Sequence, residues 1–408
     1  MSRSATCLIR NIGALVTGDC ARPLRRADSV YIEGGIIREL GRGISRAADI
    51  TIDARGITAM PGLIDSHSHP TFGDFTPAQN ALGWITHYMH GGVTALISAG
   101  ELHLPGLPTP PDARTAMALA HLAKRCWDNL RPGGVKVYAG TLLLVPGLTE
   151  DDFNALADVG SRLVKFIFYD YSLLPNGEAE RYVGWAHTRG IKVKIHSGGV
   201  SRSGVSQVAG IDVIARLKPD IIGHATGGPI PMPEKEVERL VAETDASIEI
   251  CSSGNARMVL ALMRTVSASS AFHRLLIGTD TPGGTGVLPR GMLREIAYVS
   301  SVAGVAPEIA IAMATGNVAR AHGLAHGVLT EGSAADIVLL DRIKGSVAVD
   351  ALDSFGKGDL PGISAVLIDG ELRVAGRSEQ TPPPERQVAV RAAGRRGAGA
   401  PPAEASNA

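Results

Sequence analysis

The sequence predicts an α/β fold, a TIM-like (β/α)8 barrel beside a small β-sandwich domain that both chain ends build. Three observations predict it. Eight short apolar runs recur through the middle of the chain. Histidines and one aspartate stand at the ends of several of these runs, with turn residues following. Alternating, strand-like segments occur before the eight runs and again after them.

The N-terminal part, residues 1–58, holds alternating runs at 8–11, 29–37 and 49–53, with Gly34-Gly35 reading as a hairpin turn. The barrel is expected over 59–325. Its strands are read at 62–66, 93–99, 135–139, 163–168, 193–195, 221–223, 247–250 and 275–278. Each is short and apolar, as parallel strands covered on both faces by helices should be. Helices are read between them at 111–129, 150–157 and 233–243, the last with proline in its first turn and acidic residues after it. Strand patterns return at 336–340 and 365–372, so 326–377 completes the small β-domain. Residues 378–408 are rich in Pro, Ala, Arg and Gly, which predicts a largely disordered tail.

The chemistry is concentrated at the strand ends. Pro61-Gly62-Leu63-Ile64-Asp65-Ser66-His67-Ser68-His69-Pro70 ends an apolar strand in two histidines spaced i, i+2. Side chains two apart on a strand share a face, so His67 and His69 can grip one metal ion together. Partners follow in Val193-Lys194-Ile195-His196, Ile221-Ile222-Gly223-His224 and Leu276-Ile277-Gly278-Thr279-Asp280. His196 and His224 are 28 residues apart, and His224 and Asp280 twice that. A strand-helix unit of such a barrel takes about 25–35 residues. The candidate ligands therefore end strands one, five, six and eight, on the C-terminal face where barrels of this kind carry their active sites. Lys165 lies inside the apolar run of strand four, where a bare ammonium is costly. A lysine whose pKa is lowered by burial can react as the neutral amine with CO2, giving a carbamate able to bridge two metal ions. The plainer alternative is a lysine at the strand end that reaches solvent or pairs with Asp170.

Forty basic residues balance forty acidic ones, which gives no electrostatic case for nucleic acid or an anionic membrane. No apolar run approaches the roughly 18 residues of a membrane span, and no secretory signal is visible at the start. Cys7, Cys20, Cys126 and Cys251 are scattered without disulfide or metal spacing. A cytoplasmic enzyme with a small-molecule substrate is the expectation.

From about Leu8 to Val374 the chain resembles the amidohydrolase superfamily and, within it, the enamidases, which hydrolyse cyclic enamide lactams. The segments that carry the likeness include His90-Gly91-Gly92-Val93-Thr94, His196-Ser197-Gly198-Gly199, Thr279-Asp280-Thr281-Pro282-Gly283-Gly284-Thr285-Gly286 and Met313-Ala314-Thr315-Gly316-Asn317. The resemblance implies that His67, His69, His196, His224 and Asp280 are metal ligands. It also implies the barrel-plus-β-domain fold and a homo-oligomer, dimer or tetramer.

The expected reaction is hydrolysis of a C–N bond in a cyclic amide or enamide by a metal-activated hydroxide. Two divalent ions about 3.5–4 Å apart would serve, zinc by default, with iron or manganese as alternatives. Asp280 is the expected proton shuttle. His103, Tyr169 and Ser252 follow strands two, four and seven and are candidate substrate contacts. Two rival readings remain: a carboxylated-lysine dipeptidase or hydantoinase, which suits Lys165, and a non-catalytic assembly protein of the same fold. A deaminase would want an acid soon after His196, where Ser197-Gly198-Gly199 stands instead.

Overall fold

The computed structural model describes residues 5–76, 80–100, 104, 106–200, 204, 206–227 and 230–393. Two groups of parallel strands make the barrel. Leu63–Ser68, Val93–Ser98 and Lys136–Tyr138 form one. Leu142–Leu144, Leu163–Phe166, Lys192–His196, Ile221–Gly223, Ser247–Cys251 and Leu275–Gly278 form the other, in chain order. The first and eighth strands meet where the Asp280 amide donates to the His67 carbonyl (2.8 Å) and the His69 amide to the Thr281 carbonyl (2.6 Å). Gly278 allows that approach, since a Cβ there would sit 2.7 Å from the His67 Cβ.

The third strand differs from expectation. Instead of one run at 135–139, its first piece pairs with strand two and a second piece, Leu142–Leu144, pairs with strand four. Gly140 turns the chain between them with φ near +90°, and a Cβ at that position would strike Ser161 and Lys124.

Helices cover the barrel. Ala113–Asp128 is capped by the Asp112 carboxylate, which accepts from the Thr115 amide, and it buries Ala116, Ala120, Ala123 and Trp127 along one stripe. Glu150–Asp158 begins with a reciprocal capping box between Thr149 and Asp152. Glu234–Glu243 starts after Pro233. No helix among the described residues is long and apolar enough to cross a membrane.

The chain ends form two facing sheets. One runs Ala389–Ala392, Ile50–Asp53, Thr6–Arg10, Ser29–Glu33, Ile36–Gly41. The other runs Glu371–Ala375, Gly362–Ile368, Ile337–Asp341, Thr58–Pro61, Ala14–Val16, Leu24–Arg25. Ile9, Ile32, Ile37 and Ile52 of the first pack against Leu15, Ile337, Leu339 and Leu367 of the second. The late run at 365–372 is a hairpin rather than one strand, turned at Asp369-Gly370 where both φ values are positive.

The expectation of a disordered tail from 378 is corrected for residues 378–393. Ser378 donates to the His90 carbonyl (2.5 Å), Arg386 grips Asp341, and Ala389–Ala392 adds an edge strand against Ile50–Asp53. Composition missed this because a short edge strand needs only backbone pairing and one buried ion-pair anchor. Residues 394–408 lie outside the described residues.

Candidate metal centre

His67, His69, Lys165, His196, His224 and Asp280 converge inside the barrel. His67 and His69 project from the end of Leu63–Ser68, their ring centroids 5.2 Å apart. His224 lies 5.2 Å from His67 and 4.4 Å from His196, centroid to centroid. One donor atom from each of His67, His69 and Asp280 fits within a 4.8 Å span. All six side chains are largely withdrawn from solvent, with Asp280 the most open at 14 %.

Ring-nitrogen partners decide which atoms point inward. The His69 Nδ1 donates to the Gly100 carbonyl (2.6 Å), leaving Nε2 toward Asp280 Oδ1 at 3.1 Å. The His196 Nε2 donates to the Gly199 carbonyl (2.9 Å), so its Nδ1 carries a lone pair, buried and without a hydrogen-bond partner among the described residues. The His224 Nδ1 is buried and unpartnered in the same sense. The His67 Nδ1 is bound to Glu249, and its Nε2 lies 3.0 Å from Lys165 Nζ and 3.7 Å from Asp280 Oδ1. Buried polar atoms are rarely left unsatisfied. Imidazole nitrogens, a carboxylate and a lysine amine gathered in one buried cluster are a donor set that fits divalent first-row ions.

Electrostatics agree. Burial, then the Lys165 and Lys194 charges, holds His67 well below its ordinary pKa. Burial and Lys165 lower His196 to about 4, and burial and His196 lower His224 to about 3. These rings are neutral at pH 7, as ligands must be. Lys165 is brought down to about 8 by burial and by Lys194, so part of it is neutral amine near physiological pH. Burial alone would raise Asp280, but the hydrogen bond with His69 and the surrounding histidine cluster outweigh it and hold the carboxyl well below the usual carboxylate range. Two of these residues hold left-handed backbone: His224 at φ 37° and Asp280 at φ 60°. Such strain in non-glycine residues clusters at functional sites. Gly284 makes room for the Asp280 turn, since a Cβ there would overlap the carboxylate.

Other candidates fare differently. Lys165 does not pair with Asp170, whose carboxylate accepts from the Ser172 amide instead. Tyr169 is taken out of the pocket. Its hydroxyl donates to Glu178 (2.7 Å), and its ring packs with Phe166, Tyr171 and Tyr182. Residues after the fourth strand turn back onto the helix Glu178–Thr188, which strand alternation alone did not reveal. Ser252 stays beside the site, half-buried, its amide donating to the Gly278 carbonyl (3.2 Å). His103 lies outside the described residues.

Sequence reasoning missed Glu249 and Lys194. Both are fully buried in the barrel and joined at 2.8 Å. The signal was present: a lone acid in Ser247-Ile248-Glu249-Ile250-Cys251 and a lone base in Val193-Lys194-Ile195, opposite charges in otherwise apolar strands.

A barrel with this cluster at its strand ends, joined to a sandwich built from both chain ends, defines an amidohydrolase. The chain belongs to the amidohydrolase family, whose family model matches residues 224–373, and it is a hydrolase acting on carbon–nitrogen bonds. Along nearly its whole length it is similar to the enamidase of Eubacterium barkeri, with 41% identity over 94% of this chain and 99% of that protein. The crystal structure of enamidase superposes with a TM-score of 0.89 at 39% identity, covering 95% of this chain and all of that one. A 5-methylthioadenosine/S-adenosylhomocysteine deaminase of Pyrococcus furiosus is 25% identical over 82% of this chain and 86% of that protein. Molinate hydrolase, at 17% identity and a TM-score of 0.62, shares the fold over 91% of this chain and 95% of its own.

Proposed function

We propose that this chain opens a cyclic amide or enamide at its C–N bond, using a site that holds two divalent ions between His67, His69, Lys165, His196, His224 and Asp280. The observation that carries the reading is the convergence of His67, His69 and Asp280 within a 4.8 Å span, beside His196 and His224 whose buried Nδ1 atoms have no hydrogen-bond partner among the described residues, and beside a lysine of depressed pKa. Zinc is the default, with iron or manganese as alternatives. Bound divalent ions would supply the acidity that makes water nucleophilic near neutral pH and would polarise the scissile carbonyl.

The chain's own residues do the rest. Asp280, ionised and turned inward at the mouth of strand eight, accepts the proton of the attacking water and returns it to the departing nitrogen. Lys165, as its N6-carbamate, supplies a second anionic oxygen ligand. Gly100 and Gly199 hold His69 and His196 by their outer nitrogens, so neither ring turns during the reaction. Lys165 favours one other reading of the same site, a hydantoinase-type or carboxylated-lysine dipeptidase reaction. Turnover separates the two. Purified protein should open a cyclic enamide lactam and release ammonia from the freed enamine. Hydrolysis of hydantoins or dipeptides with no action on enamides would favour the rival.

A further inference from the structure

We infer that Glu249, compensated by Lys194, is a positioning residue that fixes His67 and the His224 turn for metal binding. The inference rests on the proposed metal site and adds residues to it.

One carboxylate gathers five donors, the Cys251 thiol on Oε1 among them (3.6 Å). Glu249 Oε1 accepts from His67 Nδ1 (2.5 Å) and from the His224 backbone amide (3.3 Å). Its Oε2 accepts from Ser66 Oγ (2.7 Å) and Lys194 Nζ (2.8 Å). Lys194 also donates to the Ser66 carbonyl (2.7 Å), locking the residue before His67. Glu249 and Lys194 lie on strands seven and five, flanking strand six. They meet across Gly223, where a Cβ would stand 3.6 Å from an atom of each.

Two consequences follow for the site. A carboxylate accepts, so His67 carries its proton on Nδ1 and presents the Nε2 lone pair toward Lys165 and Asp280. The same carboxylate ties down the amide of His224, one of the two strained residues. Lys194 makes the arrangement tolerable, because an uncompensated buried carboxylate is strongly destabilising. Glu249, His67 and Cys251 also lie close enough together to be taken for a second metal site. Both carboxylate oxygens already hold donors, and burial raises the Cys251 thiol well above its ordinary pKa, so that trio is better explained as support for His67 than as ligands.

The test uses the whole protein with its metal removed. Nitrogen-15 NMR of labelled histidine should show His67 as the Nδ1–H tautomer. In Glu249→Gln, and in the charge-balanced double variant Glu249→Leu with Lys194→Met, that tautomer should be lost. Zinc affinity, read by chelator competition, should fall about 10–100-fold, the usual cost of losing such a partner. An Nε2–H tautomer in the parent overturns the inference, and so does parental zinc affinity in a folded double variant. A parent that takes up no zinc overturns the metal site instead, and the tautomer still reports on Glu249. Should neither variant fold, the parent tautomer and zinc affinity of Ser66→Ala, expected to be weakened, carry the test.

Discussion

His69 Nε2 faces Asp280 Oδ1 across 3.1 Å while His69 Nδ1 is already given to the Gly100 carbonyl. A ring tied through Nδ1 meets the carboxylate with Nε2 alone. The contact is attractive only with a proton or another cation between them, and a divalent ion meets that need for His67 as well.

Asp280→Asn keeps the shape of the side chain and removes its charge and basicity. Turnover should fall about 10²–10⁴-fold, the range of a lost general base, with the melting temperature little changed. Steady-state kinetics beside thermal melts check this. Near-parental turnover would remove Asp280 from proton transfer.

Lys165 reacts with CO2 only as the free amine, and its pKa is lowered to about 8. Metal uptake by stripped protein should therefore increase as pH rises through 8 and as bicarbonate is added. Lys165→Ala should lose the bicarbonate dependence together with one ion per chain. Elemental analysis across a bicarbonate series reads both effects.

His196 and His224 set the acid limit of the metal-free protein. Their folded pKa values, about 4 and about 3, lie below the ordinary 6.5. Between those limits the unfolded chain binds protons that the folded chain refuses, so stability falls as pH drops from 6.5 toward 4. Melting temperature should decline steadily over that window. A flat profile would contradict the buried, neutral state of these rings.

Arg386→Ala tests the ordered tail. The Arg386 guanidinium donates to both oxygens of the buried Asp341, 2.9 Å each, and its loss leaves that carboxylate without this cation, with the residue 386 amide still donating to it. Removing one partner of a buried pair costs about 3–5 kcal/mol. A guanidinium side chain that is 41% exposed argues for less, about 2 kcal/mol. Denaturant melts should register the loss while metal content stays unchanged.

Much of the barrel and its cluster was legible because two periodicities coincided. Apolar runs gave the strands, and polar residues at their C-terminal ends gave the site, so His67, His69, His196, His224 and Asp280 could be placed together from spacing. Lys165 was legible as a charge in an apolar strand. Glu249 and Lys194 carried that same signal, but only their pairing across Gly223 gives it meaning, and pairing is a property of the closed barrel. Tyr169 misled because the chain leaves the barrel wall after Phe166, and nothing local marks that turn. The split third strand was hidden because each piece is only three residues long.

Metal content of protein purified without chelator or added metal tests the central claim most directly. Two divalent ions per chain are expected, falling on dialysis against chelator and returning with zinc, iron or manganese. A chain that carries no ion, and takes up none on reconstitution, would contradict the metal centre and leave a barrel without this hydrolytic chemistry.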